Sequence, residues 1–318
     1  MNYPAPAEGD FPLARVKKHI SPYNGMEFIE ELRFLKEQLF FKERLRKKSG
    51  FSNIVIAGMG GSGVAGQIFR EMYSDVPVHL VDDYSIPRFV SRDTLFIGIS
   101  YSGNTEETVS AVREATKKKA HVVTISSGGK LKGLGAQHIA IPNASLQPRS
   151  ATGYMLMPLL NTFGLVKKKE LQSAYWLLSE LDKDNDECKA HAQAIMTGEK
   201  IPCIFGSTPF SSIAYRWKTQ FNENAKVLAY SNSFPELNHN DTMALAQTYS
   251  KDKFYFMVFA SERERIKRRI SVTAEIASAQ FNESFLKPLH HAILSLSFCI
   301  SDTSSGATLR SLPRWYET

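Results

Sequence analysis

The sequence predicts an α/β protein built from two doubly wound parallel sheets in tandem. Three observations predict it. Short apolar runs alternate with amphipathic helical stretches, the runs break into loops of glycine and hydroxylated residues, and the same order of elements starts twice along the chain.

The first elements follow a Pro-rich leader. Residues 26–48 predict one amphipathic helix, because Phe28, Leu32, Leu35 and Leu39 recur at spacings of four, three and four between charged positions. The apolar run 54–57 then breaks into Gly58-Met59-Gly60-Gly61-Ser62-Gly63 ahead of a helix carrying Ile68 and Phe69. Strands follow at 76–81, 95–99, 122–125 and 138–141, with a helix over 105–118. Runs this short and apolar suit a parallel sheet covered on both faces. A second pass gives a helical stretch over 171–197, a strand at 201–205 ending in Gly206-Ser207-Thr208-Pro209, and a helix over 210–225. Strands at 227–230 and 254–259 and helices over 262–276 and 283–300 complete it. Strand, small-residue loop and helix thus recur 147 positions apart, at Ile54 and Ile201, the pattern of a degenerate duplication.

Composition narrows the function classes. Of the 318 residues 43% are hydrophobic, which excludes a disordered chain. The three cysteines, Cys188, Cys203 and Cys299, form no CxxC pair, so the expectation is a reducing compartment without disulfides or a zinc knuckle. No stretch reaches the ~20 apolar residues of a spanning helix, and the first residues lack a secretory layout, so a cytoplasmic protein is expected. The net charge of +7 comes from Lys/Arg runs near helix ends and on polar faces, where they complement the last carbonyls; nucleic acid and membrane are not the expected partners.

Two loops carry the chemistry. Gly58-x-Gly60-x-x-Gly63, with Asp82 and Asp83 at the end of the next strand, fits a dinucleotide fingerprint and makes an NAD-dependent oxidoreductase one alternative. Its physics is generic, since glycines let main chain approach any phosphate at a helix N-terminus. The deciding loop is Ser100-Tyr101-Ser102-Gly103-Asn104-Thr105-Glu106-Glu107-Thr108, where three hydroxyls, a glycine and the N–H groups of a new helix offer a phosphate site without a lysine. The plainer reading is that these side chains only cap the helix. Both loops leave the carboxyl edge of one sheet, where such sheets bind ligands, and that favours the anion site.

These two loops resemble the sugar isomerase (SIS) domain, a doubly wound α/β module that binds phosphosugars. Gln147-Pro148-Arg149-Ser150-Ala151, the run from Trp217 to Lys226, and Pro235-Glu236-Leu237-Asn238-His239-Asn240-Asp241 resemble, in matching order, the family of bifunctional phosphoglucose/phosphomannose isomerases. Those proteins are built from two SIS domains. The resemblance implies an N-terminal SIS domain with its leading helix over residues 1–168 and a C-terminal SIS-like domain over 169–318. It implies an aldose–ketose isomerase that interconverts glucose 6-phosphate, and mannose 6-phosphate, with fructose 6-phosphate through a cis-enediol, without cofactor or metal. Gly61, Ser62, Ser100, Ser102 and Thr105 would cradle the phosphate. Arg149 would face the reacting carbons, Glu223 would move the proton, and His239 would open the ring from across a homodimer interface.

Those residue types suit the chemistry. One carboxylate can take the C2 proton and return it to C1. Glu223 falls near the end of its predicted helix, where the local negative field is expected to raise its pKa. The plainer reading makes it an exposed helix-end acid paired with Lys226. His239 can pass a proton between ring oxygen and O1 near neutrality, or be a turn residue beside Asn238, Asn240 and Asp241, which are expected to hold that turn. Arg149 offers a fixed cation for enediolate charge, or a surface ion pair. The tail departs from the family: Pro313 stands where a lysine is expected, leaving Arg314 as its substitute, with a larger group that never acts as an acid. On the helix expected over 283–300 the adjacent His290 and His291 would fall on different faces, and no metal is expected there. A non-catalytic phosphosugar-binding regulator is the remaining alternative; such proteins carry a helix-turn-helix, for which the chain before Gly58 offers one helix only.

Overall fold

A computed structural model of the chain describes residues 34–46, 50–143, 146–180, 186–247, 253–278 and 288–289. The apolar runs become strands at or within two residues of their predicted places, the run 227–230 excepted. In the first half these are β1 (Asn53–Ala57), β2 (Val78–Val81), β3 (Thr94–Ile99), β4 (His121–Ser126) and β5 (Gln137–Ala140). All pair in parallel in the order β2-β1-β3-β4-β5, with Ile54 opposite Val78 on one side and Leu95 on the other. In the second half β6 (Ile201–Gly206), β7 (Tyr230–Ser233), β8 (Phe254–Phe259) and the two-residue β9 (Pro288–Leu289) pair in parallel in the order β7-β6-β8-β9. Each sheet flanks its first strand with its second and third, so the duplication read from the sequence is present in the topology.

The helices are α1 (Leu35–Gln38), α2 (Gly60–Met72), α3 (Glu106–Lys117), α4 (Thr152–Phe163), α5 (Lys168–Glu180), α6 (Asp186–Thr197), α7 (Ser211–Gln220), α8 (Asp241–Gln247) and α9 (Glu264–Ser278). Strand alternation explains where they pack. Ile54 and Ile56 of β1, and Ile204 of β6 with Tyr255 and Met257 of β8, face a shared core. Val64 and Phe69 of α2, Met155 and Leu159 of α4 and Ile213 and Trp217 of α7 fill it. Val55, Ala57 and Phe96 point the other way, onto Val109, Val112 and Ala115 of α3. Cys203, Phe205 and Phe256 do the same in the second sheet, onto Leu245 of α8 and Ile266 of α9. Each Val, Leu, Ile, Phe or Met among them contributes roughly 1.5–3 kcal/mol on burial. The central helices therefore weld the two sheets into one packed body. Among the described residues, no helix is long and apolar enough to cross a membrane.

Several elements differ from the sequence expectation. The helix predicted over 26–48 is helical, among its described residues, only at Leu35–Gln38, and residues 41–46 run without helix. Tertiary hydrogen bonds replace the helical ladder there: Leu45 N–H donates to Thr162 Oγ1, and Asn161 Nδ2 to the carbonyl of Phe41. Gln137 Nε2 donates likewise to the carbonyl of Arg44. The strand expected at 227–230 lies at Tyr230–Ser233, polar residues on the sheet edge, while Leu228 stays 81% exposed. Within the helix expected over 283–300, Pro288 and Leu289 extend β8's ladder instead, consistent with a proline's missing N–H; the other positions of that helix lie outside the described residues.

One carboxylate spans the two halves. Glu71, near the end of α2, accepts from Ser212 N–H at 3.0 Å and from Ser212 Oγ at 2.7 Å, in the first turn of α7. The anion-attracting N-terminus of the second half's loop-helix unit is thus occupied by a side chain of the first half. Burial raises the Glu71 carboxyl above its ordinary 4.5, against the lowering effect of the Ser212 hydrogen bonds. A raised folded-state pKa means the folded chain keeps this proton after the unfolded chain has released it, so the group's contribution declines as pH rises through that window. Urea melts of the wild type and Glu71→Ala should differ most near the acid end of the window, by about 1 kcal/mol, and the difference should narrow as pH rises. A gap that widens with pH would contradict this assignment.

Candidate active site

The strand order reverses direction between β1 and β3, and α2 and α3 leave these neighbours toward opposite faces of the sheet. Their loops therefore part at the carboxyl edge and open a crevice, as expected at a topological switch point. A cavity of about 410 Å³ occupies it. Met59, Gly60, Gly61 and Ser62 line one side, and Ser100, Tyr101, Ser102 and Thr105 another. Gln147, Pro148 and Arg149 come from the connection ahead of α4, and Glu223 from the second half. The volume lies within the roughly 300–1,000 Å³ of small-molecule sites.

The loops brace each other. Tyr101 N–H donates to Ser62 Oγ at 3.2 Å, and Ser62 Oγ contacts Met155 Sδ at the same distance. Ser100 Oγ pairs with Thr105 Oγ1 at 2.8 Å and accepts from Gly103 N–H. Ser62 and Ser100 are buried and hold the walls, whereas Ser102 is exposed and Thr105 half-buried, open to a ligand. Thr105 stands at the N-cap of α3 yet makes no capping hydrogen bond, so the capping explanation fails for it. Gly60 has a φ of +52°, in the left-handed region. Gly61 is needed for closeness instead: a Cβ there would lie 2.9 Å from the Pro148 carbonyl oxygen and 3.0 Å from Arg149 N and Cα.

The Arg149 turn, Pro148–Ala151, is held from a second side by the first helix. Gln38, fully buried, donates through Nε2 to the Ser150 carbonyl at 2.8 Å and accepts from Tyr154 N–H. Sequence reading missed Gln38; its signal is an amide between the apolar positions Leu35 and Leu39. Glu223 lies beyond α7 in a π-helical turn, Phe221–Ala225, rather than in a continued α-helix. Such turns are uncommon and concentrate at functional sites. Its Oε2 accepts a hydrogen bond from Arg149 Nη1 at 3.2 Å, and both residues line the cavity. Lys226, the partner offered by the plainer reading, donates to the Glu223 main-chain carbonyl, not to the carboxylate.

Gly61, Ser62, Ser100, Ser102, Thr105, Arg149 and Glu223 thus meet in one cavity, while His239 does not line it. His239 is exposed at the end of the turn Glu236–His239. Asn238 bonds Thr242, Thr273 and Arg269, and Asp241 bonds Tyr230 and Asn232, so these residues hold the turn as expected. Asp82 and Asp83, the acids of the dinucleotide fingerprint, are exposed and outside the cavity lining. Arg314, His290 and His291 lie outside the described residues.

Two doubly wound parallel sheets in tandem, the first with a hydroxyl-lined crevice at its switch point, place the chain in the tandem SIS-domain class. The SIS domain model matches residues 49–143, and the model of the bacterial phospho-glucose isomerase C-terminal SIS domain matches residues 184–286. Over 81% of this chain and 83% of the relative, the sequence is 58% identical to a bifunctional phosphoglucose/phosphomannose isomerase of Thermoplasma acidophilum. It is 59% identical to that of Thermoplasma volcanium, over 80% of this chain and 84% of the relative. The chain belongs to the bifunctional phosphoglucose/phosphomannose isomerase family. The C-terminal domain of glucosamine-fructose-6-phosphate aminotransferase from Francisella tularensis shares the fold, with a TM-score of 0.65 at 16% identity over 88% of this chain and 93% of that one.

Replacing Gly61 by Ala should press its methyl group into the Arg149 turn and lower kcat/KM for hexose phosphates about ten-fold or more, since small displacements in a site carry large rate effects. Circular dichroism should show the fold intact. Wild-type kinetics would mean that the turn yields without consequence.

Proposed function

We propose that this chain interconverts glucose 6-phosphate and mannose 6-phosphate with fructose 6-phosphate, by proton transfer through a cis-enediol and without a cofactor. One observation carries the reading: the hydroxyl cradle and the Arg149–Glu223 pair, 3.2 Å apart, face a single cavity. Ser102, Thr105 and the N-terminus of α3 would hold the phosphate, with Ser62 and Ser100 fixing the loops around it. The acyclic sugar then extends toward the pair. Glu223 takes the proton from C2 of the aldose, and electron density moves onto the carbonyl oxygen at C1. Arg149 stabilises the resulting enediolate. A proton passes from O2 to O1, and Glu223 returns its proton to C1, leaving the ketose carbonyl at C2. Use of both aldoses requires rotation of the intermediate about C2–C3, so that one carboxylate serves both epimers.

The division of work follows the proposed domains, phosphate binding on 1–168 and proton transfer on 169–318. A cytoplasmic setting suits this substrate class and a chain whose buried Cys203 is a free thiol, pushed up to about 12 chiefly by burial. Ring opening falls to His239 of the partner subunit in a homodimer, a reading supported by its exposure and its absence from the cavity of its own chain.

A coupled assay with each hexose phosphate tests the activity. Glu223→Gln should bind 6-phosphogluconate nearly as the wild type does while losing about 10³-fold or more in turnover. Near-normal turnover would remove Glu223 from the mechanism. Mixing the inactive Glu223→Gln and His239→Ala proteins should restore activity once subunits exchange. No recovery after verified exchange would place ring opening within one chain.

A further inference from the structure

Arg216 is a buried charge beside the site that the scheme above leaves unused. It lies on α7 and is 4% exposed. Among the described residues, no carboxylate stands within ion-pair distance of it. Its donors go to neutral oxygens instead. Nη2 donates to the main-chain carbonyl of Arg149. Gln220 lies one turn further along α7, and the orientation of its amide that satisfies both neighbours turns the oxygen to the guanidinium, 2.7 Å from Nη1, 3.0 Å from Nη2 and 3.2 Å from Nε, and the nitrogen to Asn224. Desolvation pulls the guanidinium down to about 10, opposed by the Glu223 carboxylate and assisted by the Arg149 charge, so it remains a cation at neutral pH.

Packing gives no reason for this charge. A buried ion is costly to desolvate, and an apolar side chain of similar volume serves stability as well or better. The location gives a reason. The guanidinium grips the carbonyl of Arg149, the residue whose own side chain meets Glu223, and it adds a second fixed positive charge where the dielectric is low.

We propose that Arg216 is a positioning residue for the isomerisation: it locks the turn that aims the Arg149 guanidinium and lends positive potential to the enediolate formed beside the Arg149–Glu223 pair. The proposal rests on the reading of Glu223 as proton carrier. It predicts an effect on the transition state rather than on ground-state binding, because the charge it answers appears only in the intermediate.

Arg216→Met and Arg216→Lys test it in the full chain, with fructose 6-phosphate as substrate and a phosphosugar hydroxamate as mimic of the enediolate. For Arg216→Met the expected result is a fall in kcat of about ten-fold or more with KM within about two-fold, and hydroxamate affinity weakened by a similar factor. Arg216→Lys should recover part of both losses, since it restores charge without the planar fork. Wild-type kcat and hydroxamate affinity in Arg216→Met would overturn the proposal. So would equal losses in both variants with KM rising in step, the mark of a packing defect. Should Arg216→Met not fold, Arg216→Lys decides alone: lowered kcat at unchanged KM supports the role, and wild-type kcat overturns it. Glu223→Gln assayed in parallel separates the two readings. Its inactivity beside a normal Arg216→Met rejects only the positioning role, whereas its normal turnover rejects the site itself.

Discussion

The close approach of the main chain at Gly61 to the main chain at Pro148 and Arg149 is the constraint on which the site depends. A methyl group at Gly61 would fall 2.9–3.0 Å from three of those backbone atoms. The approach joins the glycine loop after β1 to the turn that carries Arg149. Gln38 holds that turn from the first helix, and Arg216 holds it from the second half. Three segments far apart in sequence therefore converge on one short stretch of backbone. The Arg149 side chain faces Glu223.

The shared helical layer makes this convergence possible. In an isolated doubly wound domain, α2 and α4 would cover one sheet and present their outer sides to water. Here those sides pack against α7 and the second sheet, and the crevice of the first domain acquires a wall from the second. The duplicated unit has two loop-helix junctions after equivalent strands, after β1 and after β6. One opens onto the cavity, and the other receives the carboxylate of Glu71. The same electrostatic preference of a helix N-terminus for an anion thus serves ligand binding in one half and cohesion in the other.

Much of the fold was legible because it is written locally. A buried parallel strand needs an unbroken apolar run, and Phe254–Phe259 was placed to the residue on that ground. The errors fall where local pattern and hydrogen-bonding context diverge. The heptad-like spacing around Leu35 and Leu39 reads as a long helix, yet residues 41–46 find better partners in Thr162, Asn161 and Gln137. The edge strand β7 takes polar residues because its outer side has no sheet to bury against, and the more apolar stretch just before it was the misleading signal.

At the site, the residue types and their loops came from sequence and from family resemblance, while their relations came from the fold. Glycines and hydroxyls after strands announce an anion site, since that chemistry is carried by contiguous backbone and side chains. No local pattern joins Arg149 to Glu223, assigns Lys226 to a carbonyl instead of a carboxylate, or sets Arg216 behind the pair. Those are distances between segments, fixed by how two sheets share one layer of helices, and the sequence by itself determined the strands, the loops and the duplication, leaving the meeting of the charges to long-range packing.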